Sequence, residues 1–470
     1  MKYDVFRKMP VERLLSYNQG NKGLKKVLGA FELTMLGIGA IIGTGIFVLT
    51  GVAAADYAGP ALVLSFIISG MACAFAALCY AELSSMIPIS GSAYTFGYVG
   101  LGEIWGWIIG WDLILEYCVA VAAVSIGWSG YMTNILSLIG INLPQSLIAA
   151  PASGGIINLP AILILALIAG LLLLGAKESA KLNNILVSIK ISVVLLFIVL
   201  GFSHVDTANW HPFMPYGWSG VFSGAAIVFF AYIGFDAVST AAEEVKNPQK
   251  DLPKGIIGSL AICTILYIVV SAILTGMVPY LEFKNNAAPV AYALSKVGIN
   301  WGSALVSVGA VCGITSVLLV MMYGGTRLFY ALSRDGLLPK GFSQVSQKTG
   351  APKKSIILVF IATALVAGFL PIGRVAELTN IGTLAAFVVV SISVIILRKS
   401  RPDLNRPFKV PFVPLVPILA VIFCLFLILQ LPTITKIAFV IWLIIGLIVY
   451  TTYGYKHSVL NGNGMKKINQ

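Results

Sequence analysis

The chain of 470 residues is 58% hydrophobic and 10% charged, with a mean hydropathy of +0.94, whereas soluble domains carry roughly 25% charged residues. That composition excludes a soluble globular fold, and apolar runs of about 20 residues, rather than alternating strands of about ten, select an all-α membrane protein over a barrel. The formal net charge of +13 suggests nucleic acid until its placement is read: it collects in tails and loops on one side of the expected bundle.

Residues 1–27 form a polar, basic tail without the apolar stretch of a cleaved leader. Twelve apolar spans follow, at Leu28 to Ala54, Gly59 to Ile87, Leu101 to Leu138, Pro160 to Leu174, Lys181 to Phe202, Gly217 to Ala242, Gly255 to Val278, Trp301 to Leu332, Ser355 to Leu370, Val375 to Leu397, Phe412 to Gln430 and Ile434 to Tyr453. An even number puts both termini on one side. With that side cytoplasmic, 25 of the 31 Lys and Arg fall inside or at the inner span edges, only Lys284, Lys296, Arg374 and Lys436 fall outside, and only Lys190 and Arg327 lie in the interior of spans. This is the positive-inside pattern of a multi-pass protein of the cell membrane, helped by anionic inner-leaflet lipid.

Other features along the chain read more plainly. The six cysteines lie inside spans without ligand or disulfide spacing and are expected as small core residues. His204, His211 and His457 fall at loop edges or in the tail, so no metal site is expected. Trp105, Trp107, Trp111, Trp128, Trp218 and Trp301 are expected mostly at the interfaces, as an anchoring belt. Residues 285–298 are either a short helix over the outer end of the bundle or simple loop packing. The stretch Arg401 to Pro407 is a polar linker that sets the last two spans apart from the first ten.

Two spans are interrupted. The first has Gly43-Thr44-Gly45 at its centre, and glycine costs about 1 kcal/mol against alanine in a helix interior. The stretch is either a break whose backbone lines a cavity or a small-xxx-small packing face through Gly39 and Gly43. The sixth span has Gly234 two residues before Asp236. An acid at membrane depth marks function by default; otherwise it caps the second half of a broken helix. Interruptions five spans apart, in spans of opposite direction, mark an inverted-repeat transporter with its site at the midplane. The repeats are then 28–202 and 217–397, followed by peripheral spans in 412–453 and a tail at 454–470.

Half-helix polarity gives the ligand's chemistry. The amides of Thr44, Gly45 and Ile46 open a partly positive helix end suited to a carboxylate. Carbonyls near Ile41, Phe230, Ala231 and Ile233 suit an ammonium. With Gly43 they outline a site for a zwitterionic α-amino acid. No Walker pattern and no Gly-x-Ser-x-Gly appear, which places a secondary transporter ahead of a membrane enzyme; a channel would want a ring-forming filter.

The motifs also carry a resemblance. Gly43-Thr44-Gly45-Ile46-Phe47, then Phe230-Ala231-Tyr232-Ile233-Gly234-Phe235-Asp236, then Glu243-Glu244-Val245-Lys246-Asn247-Pro248 continuing to Ile256, together and in order, are similar to the amino acid, polyamine and organocation superfamily. The similarity is closest to its cationic amino acid transporter branch and spans nearly the whole chain. It implies the leucine-transporter fold, a 5+5 inverted repeat plus two helices with helices 1 and 6 discontinuous, and alternating access. The chain looks like a bacterial homologue, because animal members of the branch continue with two more spans. Bacterial relatives include carriers of neutral amino acids, which leaves cationic against small neutral substrates open.

Charged residues within the spans take roles from both sources. Lys190 lies roughly 13 Å into the fifth span at 1.5 Å per residue, where it is a proton carrier or half of a structural ion pair to the first span. The resemblance implies the former, a lysine in place of a sodium ion. Glu116 either faces the site or pairs with Lys190 or a polar neighbour, and Asp236 stands beside the substrate. Met321 lines the lower pocket or packs. Glu103 resembles a glutamate of the cationic branch and is expected as a structural or gating contact rather than a substrate ligand, with Phe230 as the outer gate. Glu32, Glu82 and Arg327 read as ion-pair or inner-gate residues. The expected activity is uptake of L-amino acids by proton symport, driven by the proton gradient with no cofactor; exchange of amino acids or amines is the rival. The expected partners are substrate, protons and membrane lipid, and no nucleic acid. A small accessory membrane subunit would leave no mark in the sequence.

Overall fold

The computed structural model describes residues 7–8, 26, 28–88, 92–175, 180–346, 349 and 351–461. Apart from residues 7, 8 and 26, the expected tail 1–27 lies outside the described residues, as does 462–470. Among the described residues the only β pairing is two isolated bridges, Leu28 with Val245 and Ile148 with Asn158. Among the described residues, eight helical segments are long and apolar enough to cross a membrane, and shorter apolar helices accompany them.

The first expected span divides into α1 (Ala30–Ile41) and a resumed helix α2 over 45–58, in which wide turns Gly45–Leu49 and Ala54–Ala58 flank Thr50–Ala53. Gly59 at φ +59° turns the chain toward α3 (Leu62–Met86). Next come α4 (Ser92–Gly100), α5 (Glu103–Leu138), α6 (Leu159–Leu173) and α7 (Ala180–Phe202). The Asn158 side chain caps α6 by accepting the Ala161 amide at 3.3 Å, with Pro160 in the first turn. The second half holds α8 (Gly217–Val228), a short α9 (Ala237–Thr240), α10 (Pro248–Met277), α11 (Pro289–Lys296), α12 (Asn300–Arg334), α13 (Lys353–Phe369) and α14 (Ile372–Ser400). Finally α15 (Leu415–Gln430) and α16 (Thr433–Val449) lie beyond the linker.

Three expectations change. Helix α4 falls in what reads as a loop; every one of its residues is buried. Its glycines let it sit close, Gly97 against Ile109 of α5 and Gly100 against Ser393 of α14. Second, Trp107 and Trp111 are not a belt. Trp107 is fully buried and donates to the Gly446 carbonyl at 2.8 Å, while Trp111 donates to the Trp442 carbonyl at 2.9 Å and stacks on Trp442. They bind α16 to α5. Trp128 bonds Thr315 of α12 at 2.9 Å, which leaves Trp105, Trp218 and Trp301 exposed. Third, Cys312 is exposed, although the other five cysteines are buried.

The pieces that position the breaks are tied by small residues and backbone. Gly37 of α1 meets Ser259 of α10, and Gly255 of α10 meets Leu33. Ahead of α1, the Leu28 amide donates to the Glu244 carbonyl at 3.0 Å and the Lys246 amide donates to the Leu28 carbonyl at 2.9 Å. Thus the start of α1 and the segment between α9 and α10 are joined as one unit. The segment 285–298 is a helix in part: α11, whose Pro289 packs on Gly51 of α2, while Ala287 packs on Gly130 of α5.

Ion pairs fix the ends. Glu82 of α3 takes Arg398 of α14 and the Val410 amide, with Arg406 at 3.6 Å. Glu32 caps α1 instead, accepting the Gly29 amide at 2.9 Å. Arg327 lies over the Tyr323 ring, 4.5 Å from its centre.

Candidate functional site

The two interruptions face each other. At Ile42 the backbone opens to φ −74°, ψ 103°, and the helix resumes from Thr44. In the other strand of the site, Val228 ends α8, Phe229–Tyr232 form a tight turn, Ile233 is extended and Gly234 takes φ +122° before Asp236 and α9. That φ is open to glycine and strained for other residues. A methyl on Gly45 would overlap the Cα of Ala231, and one on Gly234 would lie 2.8 Å from the Ala40 carbonyl carbon. The glycines therefore let the two interrupted spans touch at backbone distance beside their breaks.

The predicted residues collect here in part. Gly43, Thr44, Gly45, Ile46, Ala231, Ile233 and Phe230 are all buried, Phe230 at 6% exposure. Thr44 reaches the Val124 carbonyl of α5 at 3.4 Å. Val317 of α12 lies 3.4 Å from where a Cβ on Gly43 would stand, so Val317 abuts the break; Met321, one turn on, is partly buried. Two carbonyls expected to be free are not wholly so. The Ile41 carbonyl accepts the Tyr267 hydroxyl of α10 at 2.9 Å, and that of Phe230 accepts the Ile233 amide at 3.3 Å. A carbonyl has a second lone pair, so each keeps one acceptor position.

Three carboxyls, Asp236, Glu116 and Asp112, gather toward the second break. Asp236 folds back on its own turn, accepting the Gly234 amide at 3.3 Å, and its carbonyl takes the Ser239 hydroxyl at 2.6 Å. Asp236 stands at the N-cap position of α9, but its side chain caps no amide of that helix. Glu116 of α5 is 4% exposed and stands within electrostatic reach of Asp236 and Asp112, beside Thr383, whose own hydroxyl bonds the Thr379 carbonyl at 3.1 Å.

Lys190 approaches the first break from α7. It is fully buried on α7, its stem against Gly313 of α12, and its ammonium donates to the Gly39 carbonyl at 2.6 Å. Gly39 belongs to the last turn of α1, where carbonyls lack helical donors and a cation is favoured. This contact to the first span runs from charge to backbone.

Glu103 is remote from the breaks, at the first turn of α5. Its buried carboxylate accepts the Arg7 fork at 2.7 and 2.8 Å, Tyr98 at 3.1 Å, Tyr450 at 2.9 Å and Ser458 at 2.7 Å. Tyr267, Val317 and Thr383 are neighbours that sequence reasoning missed. Only Val317 had a signal, since it lies one turn from Met321 on the same helix.

Comparison with known proteins follows the same lines. Residues 28–454 match the amino acid permease family. The chain is 55% identical to the branched-chain amino acid permease BcaP of Bacillus subtilis (strain 168), over 98% of this chain and 100% of that one. It is 51% identical to the methylthioribose transporter of the same organism, over 97% and 99% of the two chains. It is 38% identical to the vacuolar cationic amino acid transporter 4 of Arabidopsis thaliana, covering 82% of this chain and 65% of that one.

Proposed function

The chain belongs to the amino acid permease family, and from that membership we propose that it takes up L-amino acids with uncharged, branched side chains by proton symport. Twelve spans in the leucine-transporter arrangement, with both termini in the cytoplasm of a cell-membrane protein, are part of the same reading. The observation that carries it is the contact of the two helix breaks, Gly45 on Ala231 and Gly234 on Ala40. Broken helices meeting at mid-membrane supply amide donors and carbonyl acceptors together, which is what a zwitterion needs.

In this reading the amides of Thr44, Gly45 and Ile46 hold the carboxylate, and the remaining acceptor positions near Ile41, Phe230, Ala231 and Ile233 hold the ammonium. Phe230 closes over the substrate from outside. The side chain meets Val317 and Met321, aliphatic groups that favour a branched hydrocarbon over a charged tail; the likeness to BcaP supports the same choice. Lys190 carries the coupled proton: deprotonation would weaken its hold on the Gly39 carbonyl and free the end of α1. The unit of α1 and α10, joined through Leu28, then moves with α3 and the broken α8–α9 against the rest. Glu103 gates by fastening the other end of α5.

A second reading has its own support. The methylthioribose relative is nearly as similar, and the carboxyls of Glu116 and Asp236 are acceptors that sugar hydroxyls could use.

The test is uptake into proteoliposomes under an imposed inward proton gradient, with valine, leucine, isoleucine, alanine, arginine and methylthioribose, in wild type and Lys190→Ala. The proposal expects accumulation of the branched amino acids, and a variant that performs counterflow without accumulating. Accumulation that needs only internal amino acid points to exchange and overturns symport. Methylthioribose as the sole substrate overturns the amino acid reading.

A further inference from the structure

One carboxyl in the interior has no part in that scheme. Asp112, one turn before Glu116 on α5, is 2% exposed, and neither of its carboxylate oxygens has a hydrogen-bond partner among the described residues. It sits in a notch of α14: a Cβ on Gly382 would stand 2.7 Å from Asp112 Oδ1. Beside it lies a cavity of about 200 Å³, lined by Ile109, Ala385, Val389, Leu425, Phe439 and other apolar side chains of α5, α14, α15 and α16.

The lining settles what the carboxyl can hold. An ionised carboxylate without a partner in apolar surroundings is far costlier than the few kcal/mol that separate folded from unfolded. A metal cation wants several oxygen ligands, and the lining offers none. No titratable group from α14, α15 or α16 lines the cavity. Glu116, on the same helix, stands within electrostatic reach of Asp112. Past Glu116 come Asp236 and the hydroxyls of Tyr80 and Tyr117.

We propose that Asp112 is a proton-binding site, which with Glu116 forms a carboxyl pair sharing one proton carried with the substrate. Residues four apart on a helix have Cβ atoms about 5–6 Å apart, a gap one water bridges. The transfer breaks the O–H bond on Asp112 as an O–H bond forms on Glu116, and the charge of the pair is unchanged. Glu116 faces Asp236 at the break, so the pair connects an apolar proton store to the substrate region. Its role in coupling rests on the symport reading above; protonation of Asp112 does not.

The direct test is infrared difference spectroscopy of the membrane-embedded protein in H₂O and D₂O. Wild type should show the carbonyl stretch of a protonated carboxyl in an apolar setting, shifted by D₂O, absent from Asp112→Asn and present in Glu116→Gln. Identical spectra for wild type and Asp112→Asn across the pH range overturn the site. In proteoliposomes Asp112→Asn should still perform counterflow, which shows that it is folded. Its proton-driven accumulation should fall by roughly 5–150-fold, the usual span of a coupling free energy. Full accumulation by Asp112→Asn, with loss in Lys190→Ala, overturns the coupling role and leaves the symport reading standing. Wild-type uptake indifferent to the proton gradient overturns symport and the coupling role together, while the infrared band still decides whether Asp112 binds a proton.

Discussion

Replacing Gly45 by alanine is the sharpest test of the contact between the breaks. The added methyl would land on the Cα of Ala231, a backbone atom that cannot rotate away, so one half-helix must shift. Overpacking of this kind costs typically 1–3 kcal/mol, which corresponds to roughly 5–150-fold against the conformation in which the breaks touch. Alanine also gains about 1 kcal/mol of helix propensity over glycine, so a control is needed that isolates that gain. Gly170 of α6 supplies it, because nothing lies within 4 Å of the position its Cβ would take. Purified variants would be compared by thermal unfolding and by counterflow in proteoliposomes. Gly170→Ala should unfold at or slightly above the wild-type temperature and transport normally; Gly45→Ala should unfold lower and lose counterflow within the stated range. If both variants behave alike, the breaks do not bear on each other as described.

Two further outcomes follow from groups away from the breaks. Glu103→Gln removes the charge beneath the Arg7 fork, and breaking a buried pair costs about 3–5 kcal/mol; the unfolding temperature should drop, and trypsin should cut at Lys8 faster than in wild type. On α11, Lys296 holds the Glu282 carboxyl below its usual range by hydrogen bonding, and the Tyr292 hydroxyl, 2.8 Å away, adds to it. Because the folded value is depressed, this tether is complete above the ordinary glutamate value of about 4.3 and is lost as the pH falls through the lower, folded value. Hydrogen exchange of residues 289–296 should therefore rise under acid, and Glu282→Gln should remove that step.

The breaks were readable from sequence because their cause is local: Gly43, Gly45 and Gly234 are poor helix formers in otherwise apolar runs. Lys190 was readable by depth alone, since a charge so far into a span has few innocent explanations. What escaped was set by partners distant in sequence. Tyr267 meets the Ile41 carbonyl across 226 residues, and nothing in either neighbourhood marks the pairing. Trp107 and Trp111 looked like interface anchors because their spacing from the end of α5 suits one, yet carbonyls of α16 take their indole protons. Helix α4 is short and glycine-rich, and its helicity comes from burial on all sides rather than from propensity. Asp112 was visible as a letter, but its isolation appears only once α14, α15 and α16 are seen to offer it no donor.

The Glu103 carboxylate gathers groups from opposite ends of the polypeptide, Arg7 and Ser458, within 2.8 Å of its oxygens. For anyone watching the protein work with optical labels, this has a practical side. Dyes placed beside Arg7 and Ser458 would ride on one anchor and should report an almost constant separation throughout the proposed cycle. In the alternating-access cycle proposed above, a dye near Val245, which is bridged to the start of α1, paired with one near Ser458 would span the proposed moving boundary and should register each turnover.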